Sequence, residues 1–210
     1  MIDTEGVRDT PGEGGCAPAT QGATAGLDIR PLMRVHAGHW FAAVDRSRSE
    51  ILQWEDWPDA VRSEEDAHVL LQRLESDWTS GRTFSCGIFA EDGAVIGGVT
   101  VSNILWDCRC ADLGYWVEPG YRGKGISAWA ARHLVEFCFR VLRLQRLALV
   151  IRMDNTASQR VAEKLGAVLE GVARKRICHR QQALDARVYA ITQCDEPTSR
   201  SGSLGGDSGF

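Results

Sequence analysis

The sequence predicts a mixed α/β fold of the α+β type, with one mixed central sheet flanked by helices. Four observations carry that prediction. Residues 111–117, Ala-Asp-Leu-Gly-Tyr-Trp-Val, are largely apolar and aromatic and stop at Glu118-Pro119-Gly120, which marks a buried strand ended by a turn. A long apolar-periodic run, Trp129 to Leu144, follows it and reads as a helix. Upstream, Thr83–Ala90 and Ala94–Leu105 are two strands joined by Glu91-Asp92-Gly93, a hairpin turn with its glycine in place. Downstream, Val168–Arg180 and Ala183–Thr192 alternate as a closing antiparallel pair.

The remaining elements follow in order. Residues 1–26 are rich in Gly, Ala, Thr and Pro with few large apolar side chains, so a disordered tail is expected there. The folded domain is expected over 27–194, and a flexible Ser- and Gly-rich tail over 195–210. Leu27–Leu32 alternates as a first strand closed by Pro31. Val35–Leu52 reads as a helix with apolar positions at Val35, Trp40, Phe41, Val44 and Ile51, and leads into an aromatic and acidic loop, Gln53-Trp54-Glu55-Asp56-Trp57-Pro58. Ser63-Glu64-Glu65-Asp66 is a capping signature: a serine cap, then acids in the first turn, which explains these acids without catalysis. Helical periodicity runs from Ala67 to Trp78 and Gly81 ends it. Arg146–Ile151 is a buried, parallel-type strand. Asp154-Asn155 then caps a short helix, Thr156–Leu165, closed by Gly166.

Composition narrows the function. With 210 residues, 25% charged, 44% hydrophobic and net charge −4, the chain suits one soluble domain and offers no basic excess for nucleic acid. No run approaches membrane-spanning length and the N-terminus lacks the basic start and apolar core of a signal peptide, so a cytoplasmic protein is expected. Seven cysteines show neither Cys-x-x-Cys pairing nor metal spacing, and reduced thiols with no bound metal are expected. The five histidines sit apart with no ligand or base partner in view.

Arg122-Gly123-Lys124-Gly125-Ile126-Ser127 stands between the central strand and its helix. Unpaired N–H groups converge at such a junction, the helix dipole adds partial positive charge, and glycines let a phosphate approach the backbone. The spacing is neither that of a P-loop nor that of a dinucleotide fingerprint. An ordinary glycine-rich turn is the alternative. Read whole, the segment resembles the acyl-CoA pyrophosphate loop of the GNAT N-acetyltransferase superfamily, Arg/Gln-x-x-Gly-x-Gly/Ala, with Ser127 where the family prefers Gly or Ala. Gly114-Tyr115-Trp116, Asp154-Asn155-Thr156-Ala157-Ser158 and Lys164-Leu165-Gly166-Ala167 look like the RimJ/RimL branch, over roughly residues 27–192.

The resemblance implies the GNAT acyl-CoA N-acyltransferase fold, in which two central strands splay and the pantetheine arm of acetyl-CoA lies between them. It implies acetyl-CoA as co-substrate and a primary amine as acceptor, either a protein N-terminus or a small amine such as an amino acid, polyamine or amine antibiotic. A homodimer is among the implied assemblies. Carried onto this chain, Val117, Arg122, Gly123, Lys124, Gly125, Ile126, Ser127, Asn155 and Ser158 would hold the donor. The family's tyrosine acid is replaced by Ala162, and Ser158 would hydrogen-bond the departing thiolate instead. Asp112 would be the base, with Glu118 the second choice. Trp54, Trp57 and Tyr115 would line the acceptor pocket, with Glu55, Asp56 and Asp59 drawing in an ammonium; packing against a helix is the competing role for the tryptophans. A non-catalytic acyl-CoA-binding module is the alternative from another class.

Overall fold

The computed structural model describes residues 24–193. The expected tails therefore lie outside the described residues, apart from residues 24–26. Seven strands form one sheet: β1 (Asp28–Pro31), β2 (Phe84–Phe89), β3 (Val95–Leu105), β4 (Cys110–Val117), β5 (Arg146–Arg152), β6 (Val168–His179) and β7 (Gln182–Thr192). Four helices accompany them: α1 (Ala37–Leu52), α2 (Glu64–Thr79), α3 (Ile126–Arg140) and α4 (Thr156–Lys164). The strand order is β1-β2-β3-β4-β5-β7-β6, so the two halves of the chain meet at β4 and β5 in mid-sheet.

That central junction is the decisive feature. β4 and β5 run parallel but pair only over Cys110↔Arg146, Ala111↔Leu147 and Asp112↔Ala148. Beyond those residues each strand keeps its outer neighbour: β4 stays on β3 through Val117, and β5 stays on β7 through Arg152. The strands therefore splay while remaining rigidly held from outside. Backbone groups on the facing edges of the gap are left for another partner, because an unpaired buried N–H or C=O is costly.

Alternation along the strands divides the core. Ala111, Leu113 and Val117 on one face of β4 pack with Ile126, Ala130 and Leu134 of α3, whereas Trp116 on the other face packs with the cluster built from α1 and α2. Leu144, Leu147 and Leu149 are buried in the first cluster.

Local chemistry explains where element ends differ from the sequence expectation. Val35 lies in a 3-10 turn, Arg34–His36, and is 81% exposed, so α1 begins only at Ala37. α3 begins at Ile126, three residues before the periodic run, because Gly125 at φ 82° turns the chain directly into the helix. It ends at Arg140, since Arg143 takes φ 57° in the turn that delivers Leu144 to the core. α2 is capped as its sequence suggests, with Asp66 N–H donating to Ser63 Oγ at 3.1 Å.

Candidate active site

The loop after β4 is built by backbone geometry. A 3-10 turn, Pro119–Tyr121, follows Glu118, and Gly123 (φ 76°) and Gly125 (φ 82°) adopt the left-handed conformation that favours glycine. The first backbone bond of α3 runs from Trp129 N–H to the Gly125 carbonyl at 3.0 Å. The N–H groups of Gly123 through Ala128 accordingly have no backbone acceptor among the described residues. A Cβ placed on Gly123 or Gly125 would meet no protein atom within 4 Å, so the space above the loop is open. Free donors, a helix N-terminus and open space make an anion cradle. Lys124 and Arg122 flank it from the surface; the Lys124 ammonium lies 5.2 Å from the Tyr121 ring centre and Arg122 Nε donates to the Val117 carbonyl at 3.4 Å.

The cradle opens into a cleft of about 510 Å³. Val117, Arg122, Gly123, Gly125, Ile126 and Ser127 line it from the loop, and Asn155 and Ser158 line it from α4. Trp54, Glu55 and Tyr115 complete the wall, and all three also border a smaller adjoining space of about 80 Å³ beside Arg152 and Ile177. At the start of α4, Asn155 Oδ1 accepts from the Ser158 N–H at 3.0 Å, so Asn155 is the helix cap. The Tyr115 hydroxyl donates to the Ser158 carbonyl at 3.0 Å, tying β4 to α4 across the splay. Burial of Tyr115 raises its pKa, so the hydroxyl stays protonated and remains a donor. Ala162, at the tyrosine position of the resemblance, is fully buried and presents nothing to the cleft.

Four sequence candidates fall outside the cleft wall. Asp112 sits where β4 and β5 are still paired, half-exposed, and accepts from Asn103 Nδ2 at 2.9 Å; it does not line the cleft. Glu118 is buried, but its Oε1 is held by Arg46 of α1, by Nη2 at 2.5 Å and Nε at 3.2 Å. It anchors the loop to α1. Trp57 packs against Trp40 at 5.6 Å and Trp116 at 6.3 Å between ring centres, taking the core role rather than the pocket role. Lys124 does not line the cleft with its neighbours.

Sequence reasoning missed a clip that holds the loop at 53–56. Arg152, at the end of β5, donates to the Gln53 carbonyl at 2.7 Å and to Asp154 at 2.8 Å, and its guanidinium lies 5.0 Å from the Trp54 ring centre. His179, at the end of β6, places Nε2 3.0 Å from the Leu52 carbonyl and 3.3 Å from Asp56 Oδ1. Asp56 also accepts from the Arg180 N–H at 2.8 Å. With its proton on Nε2, His179 donates to the loop and can accept from Arg152 Nη1 at 3.4 Å. Held this way, Glu55 lines the cleft and keeps an exposed surface, with its carboxyl partly desolvated. Burial raises its pKa, His179 opposes that, and Asp56 adds to it.

The model of the acetyltransferase (GNAT) domain family matches residues 27–168. The chain belongs to the GNAT acetyltransferase family. This GNAT enzyme is an N-acetyltransferase, and its RimJ/RimL resemblance is borne out by its relatives. The ribosomal-protein-serine acetyltransferase of Escherichia coli (strain K12) is 26% identical over 164 residues, covering 78% of this chain and 91% of that protein. The spermidine N(1)-acetyltransferase of the same organism is 32% identical over 145 residues, 69% of this chain and 74% of that one. Mycobacterium smegmatis RimJ, solved in complex with a CoA disulfide, matches with a TM-score of 0.75 at 25% identity, over 81% of this chain and 84% of RimJ. The splayed mixed sheet is thus the GNAT fold. Among the described residues no group of three His, Cys, Asp or Glu side chains is placed to hold a metal, and no helix is long and apolar enough to cross a membrane.

Proposed function

We propose that this GNAT enzyme transfers an acetyl group from acetyl-CoA to a primary amine by direct attack, with the α-amine at a protein N-terminus as the acceptor. The observation that carries this reading is the continuity of the cleft: one opening is lined by the glycine loop, by Ser158 and by Trp54 and Glu55. In this reading the free N–H groups of Gly123–Ala128 receive the CoA pyrophosphate. The unpaired edge of β4 between Leu113 and Val117 receives the pantetheine amides. The Ser158 hydroxyl, on the first turn of α4, stabilises the departing thiolate, and Asn155 fixes that turn. Holding both reactants replaces a bimolecular encounter by an oriented one, so no covalent enzyme intermediate is required. The relation to ribosomal-protein-serine acetyltransferase supports the N-terminal acceptor.

A small polyamine is the second reading, supported by the 32% identity to spermidine N(1)-acetyltransferase. Intact-mass analysis after incubation with acetyl-CoA separates the two. Peptides with a free α-amine and no lysine are compared with the same peptides N-terminally blocked, with spermidine and with free amino acids. Acetylation of the free peptides at a kcat/KM well above that of spermidine supports the first reading; the reverse order supports the second. Mass detection is preferable to thiol release here. Burial pushes the Cys86 and Cys138 thiols up to about 12, which keeps them inert, but Cys108 and Cys178 are exposed and would react with a thiol reagent.

A further inference from the structure

Two carboxylates line the cleft, and their surroundings differ. Glu50, on α1, accepts from the Ser49 hydroxyl at 2.7 Å, which holds its pKa below the usual range. Glu55 has its backbone N–H on the Ile51 carbonyl at 2.9 Å, but its carboxylate has no hydrogen-bond or ion-pair partner among the described residues. The neighbouring charges are engaged elsewhere. Asp56 is taken by Arg180 N–H and His179, and the bonds of Arg152 go to Gln53, Asp154 and His179. Each acid around this end of the cleft is thus satisfied by protein except the one that borders both the cleft and the smaller space beside Ser158.

We propose that Glu55 binds the acceptor as its ammonium and removes the proton that makes the nitrogen nucleophilic. This deepens the acetyl-transfer reading above and rests on it. R–NH₃⁺ gives one proton to the Glu55 carboxylate. The freed lone pair bonds the thioester carbonyl carbon, the C–S bond breaks as the carbonyl re-forms, and CoA leaves as a thiolate hydrogen-bonded to Ser158. The surplus proton on the new amide nitrogen passes to the sulfur, giving CoA–SH. Glu55 then returns its proton to water. The Trp54 ring, fixed by the Arg152 guanidinium, supplies an apolar wall beside the ammonium.

The charged groups facing Glu55 are Asp56 on its own loop, His179 from the end of β6, Arg152 from the end of β5 and Glu50 from α1. Burial raises the Glu55 carboxyl above the ordinary 4.5, His179 opposes it and Asp56 adds to it, and the result brings the base nearer to working pH. Activity must therefore rise as pH increases through that raised value, since only the carboxylate accepts a proton.

The test compares full-length wild type, Glu55→Gln and Glu55→Asp with acetyl-CoA and the best acceptor of the amine panel. Glu55→Gln is expected to lower kcat/KM for the acceptor by about 10²-fold or more. It should leave the KM for acetyl-CoA and the thermal shift with acetyl-CoA as in wild type, and lose the acid limb of the kcat/KM profile. Glu55→Asp should recover part of the rate and keep an acid limb. A Glu55→Gln enzyme within about threefold of wild type, with the acid limb intact, overturns the role of Glu55 and leaves the transfer reaction standing. Wild type that acetylates no amine overturns both. Loss of the acetyl-CoA shift in Glu55→Gln also contradicts the proposal, because it places Glu55 in donor binding.

Discussion

At the loop end of the cleft the free donors are backbone N–H groups from one continuous stretch, Gly123 to Ala128, whereas the other end is held by the side chains of Arg152, His179 and Asp56 bonded to segments distant in the chain. The loop end needs two left-handed glycines and a helix start, all within six residues of each other. The opposite end needs contacts between residues 99, 124 and 127 positions apart. In the proposed reading the donor's diphosphate does not vary, so a backbone cradle suffices for it. Acceptors differ, and side chains on separately anchored segments can be exchanged without disturbing the sheet. The comparison predicts that backbone changes damage the first end and side-chain changes damage the second.

After Glu55 itself, the largest side-chain effect should come from Arg152→Ala. It removes the bond to the Gln53 carbonyl and the support under Trp54. A shift of about 1 Å in the loop is enough to cost about 10²-fold in acceptor kcat/KM, while the acetyl-CoA thermal shift should persist. Equal losses at both ends would break the comparison. Asn155→Ala lies on the boundary, since Asn155 caps α4 and lines the cleft. Loss of the cap should cost about 1 kcal/mol of stability, or about 2–4 °C in Tm for a chain of this size, measured by thermal unfolding. No change in Tm would show that the cap contributes nothing.

Smaller still is Lys124→Ala. Its ammonium is exposed and outside the cleft wall, so its removal should raise the KM for acetyl-CoA only about two- to fivefold, and added salt should shrink the difference. An effect above about 10²-fold would place a side chain, rather than the backbone, at the centre of donor binding. A last, weaker signature concerns Cys86 and Cys138. Their folded thiols are pushed from 9.0 up to about 12, so the stability they contribute is full below the unfolded value and is lost as pH rises from about 9 towards 12. Thermal unfolding across that window should show a declining Tm that weakens in Cys86→Ala.

The same contrast explains what the sequence revealed. The strand, the turn and the helix around Arg122–Ser127 are contiguous, so periodicity and glycine placement located the cradle and, through it, the sheet centre. Strand pairing inside hairpins was legible for the same reason. Asp112 falls away from the cleft because a strand position says nothing of where two strands part; it is the last residue of β4 still paired with β5. Glu118 looked free because Arg46, its partner, is 72 residues away. Trp57 and Trp54 look alike in sequence, and only the packing of Trp40 and Trp116 decides which one turns inward. Glu55 drew notice only as one of several acids, since its lack of a partner is visible only once its neighbours are seen to be paired.

The most direct test of the account is thermal stability with and without acetyl-CoA, in wild type and in Gly125→Glu. Gly125 caps α3 at φ 82°, with open space where a Cβ would stand. A glutamate there brings strain, bulk and negative charge to the cradle. Wild type should gain about 2.7 kcal/mol at a hundredfold excess of acetyl-CoA over Kd, and a folded Gly125→Glu protein should gain none. Equal stabilisation of the two proteins, or none in wild type, would contradict the assignment of Gly123–Ala128 as the donor site.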